Sequence, residues 1–452
     1  MKLLGYSIVA LTGWLMLDSA QAATWTVTPD QNLQQQLDQA DAGDLLLLKP
    51  GAYLGNFVIT RPLTLRGEAG VVLDGMGRKH ALEIQAPDVT VEQLEIRNWG
   101  DDLTTLDSGI FVARQATGAR IARNYLHGDT FGIWVDATAD VRISHNRVKG
   151  NTAVRSADRG NGIHLFNVTG ARIEHNEVWH TRDGIYIDTS NKNELIGNYL
   201  HDLRYGVHYM YSYHNRVSGN HTRNTRTGYA LMQSKFLTVT NNRSENDANY
   251  GILMNYITNS TIRNNLISGV QNSRNPMMQQ VSTRPEGKAL FIYNSLYNKI
   301  IGNHFSHSDM GVHLTAGSEN NILSGNAFID NREQVKYVAT RHQDWSHEGA
   351  GNYWSDYLGW DMNADGIGDT HYEPTDGVDR LLWKFPAAKV LLNSPAVETL
   401  RWVQRQFPVL KSQGVVDSHP LMSIPALVPD EAHAEGGEGD GNDAESEHDK
   451  HS

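Results

Sequence analysis

The chain has 452 residues, a formal charge of −12, 39 % hydrophobic and 20 % charged residues, a balance that fits neither a membrane protein nor a disordered one. Cysteine is absent, which excludes disulfides, thiolate metal sites, iron–sulfur clusters and a cysteine nucleophile. Residues 430–452 carry nine Asp/Glu against one Lys, and the remainder is not basic either, so no nucleic-acid partner is expected.

At the N-terminus, Lys2 precedes a mostly apolar stretch over residues 3–17, and Ala20-Gln21-Ala22 fits small-x-small cleavage. This pattern predicts a secretory signal over residues 1–22 and a mature chain outside the cytoplasm. No later segment is long and apolar enough for a membrane helix, so membrane contact is expected only through a partner.

Residues 31–41 place Leu33, Leu37 and Ala40 on one helical face, which predicts an N-terminal cap helix. Short strands are expected at 44–49, 56–60 and 62–66, divided by Pro50-Gly51 and Arg61-Pro62. Beyond them a repeat dominates. Asparagine recurs at 124, 146, 176, 198, 220, 242, 265, 303 and 326, a nearly constant interval broken by two insertions. Gly followed by an aliphatic keeps the same beat at Gly109, Gly132, Gly162, Gly184, Gly206, Gly251 and Gly311, and Gly228-Tyr229 and Ala289-Leu290 fill the remaining slots.

The period, roughly 22 residues, belongs to solenoids. Pieces such as Val141-Arg142-Ile143 and Gly184-Ile185-Tyr186-Ile187-Asp188 alternate with β-branched residues and are too short for helices. The expected fold is therefore all-β: a right-handed parallel β-helix over residues 23–335, about a dozen coils at ~4.8 Å each. The recurrent Asn suits a left-handed corner and an amide ladder along the stack. The repeat fades after Asn331, and residues 336–429 should form a separate capping or docking region, with a helix over 394–406 opened by Ser394 and Pro395. The acidic tail 430–452, with His433, His448 and His451, has nothing to bury and should be disordered.

Columns along the coils carry the candidate chemistry. Counting from each Asn, position +12 is Asp136, Asp188, Met210, Met232, Met254 and Thr315, and position +10 includes Trp134, Tyr186, His208 and His313. Residues two apart on a strand share a face, so His208, Met210, Met232 and Met254 could line up imidazole and thioether groups that suit Cu(I). The Gly count turns Met254 inward and the Asn count turns it outward. A methionine stack filling the core is the competing explanation. The larger insertion, near 269–286, adds Met277 and Met278 as further soft-metal or partner contacts. Asp361, Asn363, Asp365 and Asp369, with Gly366, resemble a calcium loop, although Tyr372 stands where the bidentate Glu is usual. An Asx-rich turn accounts for the same spacing. Asp101-Asp102, Asp107, Asp136 and Asp188 keep a carbohydrate-active β-helix as the rival reading, from fold analogy alone.

Gly-Asn-Tyr-Trp-Ser-Asp-Tyr at 351–357, Asp-Gly-Ile-Gly-Asp at 365–369, Asn-Ser-Pro-Ala at 393–396 and Asp-Ser-His-Pro-Leu-Met at 417–422 complete the pattern. Together with the β-helix and the signal, they resemble the NosD family of periplasmic maturation proteins of nitrous oxide reductase. The resemblance implies a non-enzymatic periplasmic protein that works with the permease and ATPase subunits of a membrane ABC transporter. It also implies a copper chaperone lipoprotein as metal donor and the apo-reductase as recipient of a copper–sulfur cluster. It supplies no copper ligands. Trp354, Trp360, Trp383 and Trp402 are candidates for docking on the permease, against the plainer expectation that most of them fill a cap core.

Overall fold

The computed structural model describes residues 22–274, 287–315, 317–339, 341–374, 394–397, 399, 403 and 414–427. The expected signal, the acidic tail, Met277, Met278, Trp383 and Trp402 lie outside the described residues. So does most of the helix expected over 394–406, where residues 395–397, 399 and 403 are helical and Ser394 Oγ accepts from Val397 N at 3.4 Å.

Three parallel sheets run the length of a β-helix. Sheet I, 13 strands, stacks from Thr24–Val27 to Ile322–Ser324; sheet II, 13 strands, from Gly51–Leu54 to Tyr353–Trp354; sheet III, 12 strands, from Phe57–Ile59 to Glu333–Val338. Each coil contributes one short strand to each sheet, and the inward residues, such as Ile133, Ile185, Val207 and Ile252, are completely buried in one continuous core. Stacking persists past residue 335, since Tyr353–Trp354 still pairs with Ala327 and Phe328.

Helix α1 (Leu33–Gln39) covers the first coils as expected. Asn32 caps it by accepting from Gln35 N at 3.1 Å, and Leu33, Leu37 and Ala40 are buried. Without this helix the first edge would expose unpaired backbone groups.

The Asn ladder is continuous. Side-chain amides of Asn124, Asn146, Asn176, Asn198, Asn220, Asn242, Asn265, Asn303 and Asn326 each donate to the next carbonyl oxygen at 2.8–3.0 Å, the last to Asn352. The corner geometry differs from expectation. The left-handed residue is the one before each ladder Asn, for example His145 (φ 55°), His175 (φ 53°) and Asn241 (φ 56°). The ladder Asn itself turns inward, where its amide also reaches a backbone carbonyl, as Asn146 Nδ2 does to Ile121 O at 2.8 Å. Glycine recurs at the start of the sheet III strands for a steric reason. A Cβ on Gly184 would sit 2.6 Å from the carbonyl oxygen of Gly206, and one on Gly206 2.7 Å from that of Gly228.

The C-terminal segment folds back on the last coil. Gln343–Asp344 pairs with Val415–Val416, and Asp417, fully buried, takes the place of the next ladder residue. It accepts from Asn352 N at 2.7 Å and Trp354 Nε1 at 2.8 Å. Trp354 is stacked between Phe328 and Tyr372. Two of the sequence runs that carry the family resemblance therefore meet as one capping device.

A second buried carboxylate lies inside the coils. Asp247 accepts from Thr225 N and Oγ1 at 2.8 and 2.7 Å and from Ser244 Oγ, while burial pushes its carboxyl up to about 6. A carboxyl that binds its proton more tightly when folded stabilises the fold at low pH. That contribution is full below about pH 4, the unfolded value, and is lost as pH rises through about 6. Asp247→Asn is expected to remove roughly 2–3 kcal/mol of the difference in unfolding free energy between pH 4 and pH 7. Urea titrations of both proteins at the two pH values measure it.

Candidate functional site

The outward side of sheet III carries a row that is buried or half-buried although it faces away from the core. Register pairs Phe111 with Trp134, then His164, Tyr186, His208, Ala230, Leu253, Phe291 and His313 in turn. Trp134, His164 and His208 are only 6 %, 6 % and 7 % exposed. Rings close the row, with Trp134–His164 centroids 3.9 Å apart, His164–Tyr186 4.6 Å and Tyr186–His208 4.2 Å at 8°.

His208 is oriented by a buried carboxylate. Its Nδ1 lies 3.0 Å from Asp183 Oδ2, and Arg204 grips both Asp183 oxygens from Nε and Nη2 at 2.7 and 2.6 Å. Burial alone would raise the Asp183 carboxyl, but the hydrogen bonds and charges of His208 and Arg204 hold it below the ordinary carboxylate range. An ionised carboxylate only accepts, so Nδ1 donates to it, and in a neutral ring Nε2 is then the nitrogen with the lone pair. That Nε2 has no hydrogen-bond partner among the described residues. This is the arrangement by which a carboxylate orients an imidazole for a metal.

Met210 follows two residues after His208 on the same face. One residue beyond the Tyr209–Leu231 pair, Met232 takes the same position on the next coil, and both thioethers are partly exposed. The strand geometry therefore puts His208, Met210 and Met232, one imidazole and two thioethers, on the same face of neighbouring coils.

Met254 is not on this line. It pairs with Leu231 and is fully buried, whereas Asn255 stands beside Met232. The step from His221 to its partner Arg243 is one residue shorter than the step from Thr227 to its partner Tyr250, so an extra residue enters the turn just before Tyr250–Asn255. A slip of one residue reverses every side chain of a strand. Counting from Gly251 absorbs that residue, while counting from Asn242 does not.

The first insertion concealed His164. The Asn146 count runs into the first insertion, but His164 follows Gly162 as His208 follows Gly206. Burial drives its imidazole down to about 3, so it is neutral, and the Asn161 amide lies 3.1 Å from its Nδ1. Asp183 and Arg204 were also missed, because nothing in their spacing marks them as partners of His208.

The calcium-like residues gather in one loop, but on its own amides. Asp361 accepts from Asp365 N and Gly366 N at 3.3 and 2.8 Å, Asp365 from Ile367 N at 2.8 Å, and Asp369 from Met362 N at 2.8 Å. Asn363 donates to Asp365 at 2.9 Å. Gly366 takes φ 84°, completing an Asx-type turn. Among the described residues no group of three or more His, Asp or Glu is placed to hold a metal. Of the carboxylates considered for sugar chemistry, Asp136 and Asp188 are separated by Phe166 in the stack.

Comparison with known proteins settles the family. The family model described as periplasmic copper-binding protein (NosD) matches residues 144–359. A Pseudomonas aeruginosa protein called probable ABC transporter binding protein NosD is 57 % identical over 391 residues, 86 % of this chain and 91 % of its own. The chain belongs to the NosD family. A Stutzerimonas stutzeri NosD of the same description is 57 % identical over 387 residues, 86 % of this chain and 88 % of its own. A Yersinia enterocolitica family 28 exopolygalacturonase matches at 13 % identity and a TM-score of 0.50, over 74 % of this chain and 79 % of its own. At that identity the likeness to the exopolygalacturonase extends to the coil architecture alone. For this NosD family member, no helix among the described residues is long and apolar enough to cross a membrane.

Proposed function

We propose that this chain is a non-enzymatic periplasmic scaffold for the maturation of nitrous oxide reductase, handling Cu(I) as cargo for the copper–sulfur cluster. The observation that carries this reading is His208, whose Nδ1 is held by the buried Asp183 and whose buried Nε2 has no hydrogen-bond partner among the described residues, on the same face of the coils as Met210 and Met232. Imidazole and thioether together favour Cu(I) over harder ions, and with no cysteine the chain can hold it without a thiolate. The periplasmic copper-binding description of the family and the transporter-binding names of the relatives support the same reading.

On this reading the C-terminal end docks on the permease of an ABC transporter. Leu358, Trp360 and Met362 are 92 %, 57 % and 84 % exposed there, whereas Trp354 is buried in the cap. Large apolar side chains left in water at one end of a rod suit a protein interface. A copper chaperone lipoprotein is the proposed donor and the apo-reductase the proposed recipient.

Cells lacking this chain are expected to accumulate copper-deficient reductase, measured by metal analysis of the purified enzyme. A reductase with its full copper complement would overturn the maturation role. Release of shortened or unsaturated oligosaccharides by the purified chain would replace it with a carbohydrate activity.

A further inference from the structure

We propose that the edge where sheet III turns into sheet I is the docking face for the folded protein that receives Cu(I) from the His208–Met210–Met232 line. This inference rests on the copper reading above. Most coils make this turn through left-handed residues, and Asn or Asp often serves, as at Asp140, Asn167, Asn259, Asn294 and Asn320. On four successive coils an aromatic residue occupies one of these left-handed positions: Tyr211 (φ 50°), Phe236 (φ 55°), Tyr256 (φ 56°) and Tyr297 (φ 57°). Bulky side chains seldom adopt this conformation, and large rings held there and left half in water point to function.

These rings stay about half in water. The four are 45–58 % exposed, and Phe166 and Tyr293 on the same edge are 41 % and 40 % exposed. Between residues 100 and 340, every large hydrophobic side chain exposed among the described residues lies on this edge, Val338 being the seventh. From the coil of Phe166 to that of Tyr293 the strip runs about 24 Å, at ~4.8 Å per coil. With side chains of this size about half exposed, the six residues present roughly 600–700 Å² of surface, the four tyrosine hydroxyls included. That lies at the upper end of what monomers leave in water and approaches the ~800 Å² that one partner gives to a stable interface.

The geometry favours a protein over a glycan. Tyr256 and Tyr293 meet edge to face at 80°, and Phe236 is stacked on His214 at 4.6 Å, so the rings do not form one flat platform for sugars. The position favours a metal recipient, because Met210 directly precedes Tyr211 and Met232 lies one coil further along the same edge. A protein seated on the rings would cover both thioethers and keep water from the exchange of ligands.

The test replaces Tyr211, Phe236 and Tyr256 together with Asn, a residue that accepts the left-handed turn. Binding of purified apo nitrous oxide reductase to the full-length chain is then measured by biolayer interferometry. The triple variant should bind at least tenfold more weakly, with a melting temperature equal to or above that of the parent and unchanged Cu(I) affinity. Phe166→Ser, on a regular strand of the same edge, should weaken binding about threefold. If the parent binds the apo-reductase and both variants bind it equally well, the edge assignment fails and the maturation reading stands. If the parent itself does not bind, the edge assignment and the holding of the apo-enzyme fail together.

Discussion

Replacing His208 with Phe and both Met210 and Met232 with Leu is expected to weaken Cu(I) binding at least 100-fold, about 2.7 kcal/mol, while leaving the coils folded. The substitutions are chosen to keep the stack. Phe at 208 retains a ring against Tyr186, and Phe already occupies the row at 291. Leu is close to Met in volume and costs less than about 1.5 kcal/mol at most sites. Arg204 continues to satisfy both oxygens of Asp183, so no buried charge is left without a partner. Competition against a chromophoric Cu(I) chelator measures the affinity, and circular dichroism checks the fold. Unchanged affinity would assign the row to packing. Asp183→Asn adds a finer reading, because it removes the charge that holds His208 Nδ1 without removing any ligand. A loss of about 10–100-fold is expected, the range typical of a group that orients a ligand from behind.

Asp417→Ala should be the most damaging single change in the described fold, by about 3–5 kcal/mol. The carboxylate is fully buried and receives Asn352 N, Trp354 Nε1 and, at 3.2 Å, His419 N. Burial pushes its carboxyl upward, so the carboxylate is held against its own desolvation by these donors. Removing it strands several buried donors and frees the C-terminal segment from the last coil. A fall in melting temperature of roughly 5–10 °C is expected in a thermal scan. A variant that melts like the parent would mean that Asp417 is not what holds the cap. Because Asn352, Trp354 and Asp417 belong to the runs that identify the family, the expected fall would also mark those runs as structural rather than metal-binding.

The solenoid was legible because it is periodic. A repeat of nearly constant length with Asn and Gly at fixed places leaves few folds open, and each new coil repeats the same steric demand. The cap helix was legible for a similar reason, since Leu33, Leu37 and Ala40 obey one helical face. Other features could not be read in this way. Which residue takes the left-handed corner depends on how the ladder amide reaches two coils at once, and spacing alone does not distinguish the Asn from its neighbour. The phase of Met254 and the membership of His164 depend on where an inserted residue is absorbed, in the turn or in the strand.

What the amino-acid order determined by itself is the kind of surface this protein can have: long parallel columns, no thiolate, and a few imidazoles and thioethers placed at a regular interval. Only the folded chain decided which columns face outward, that Asp183 lies behind His208, and that residues 65 positions apart in sequence join as Asn352 and Asp417. The reason is physical. Repetition is a local property that any window of the chain displays, whereas a hydrogen bond between coils depends on the exact number of residues spent in every turn between them.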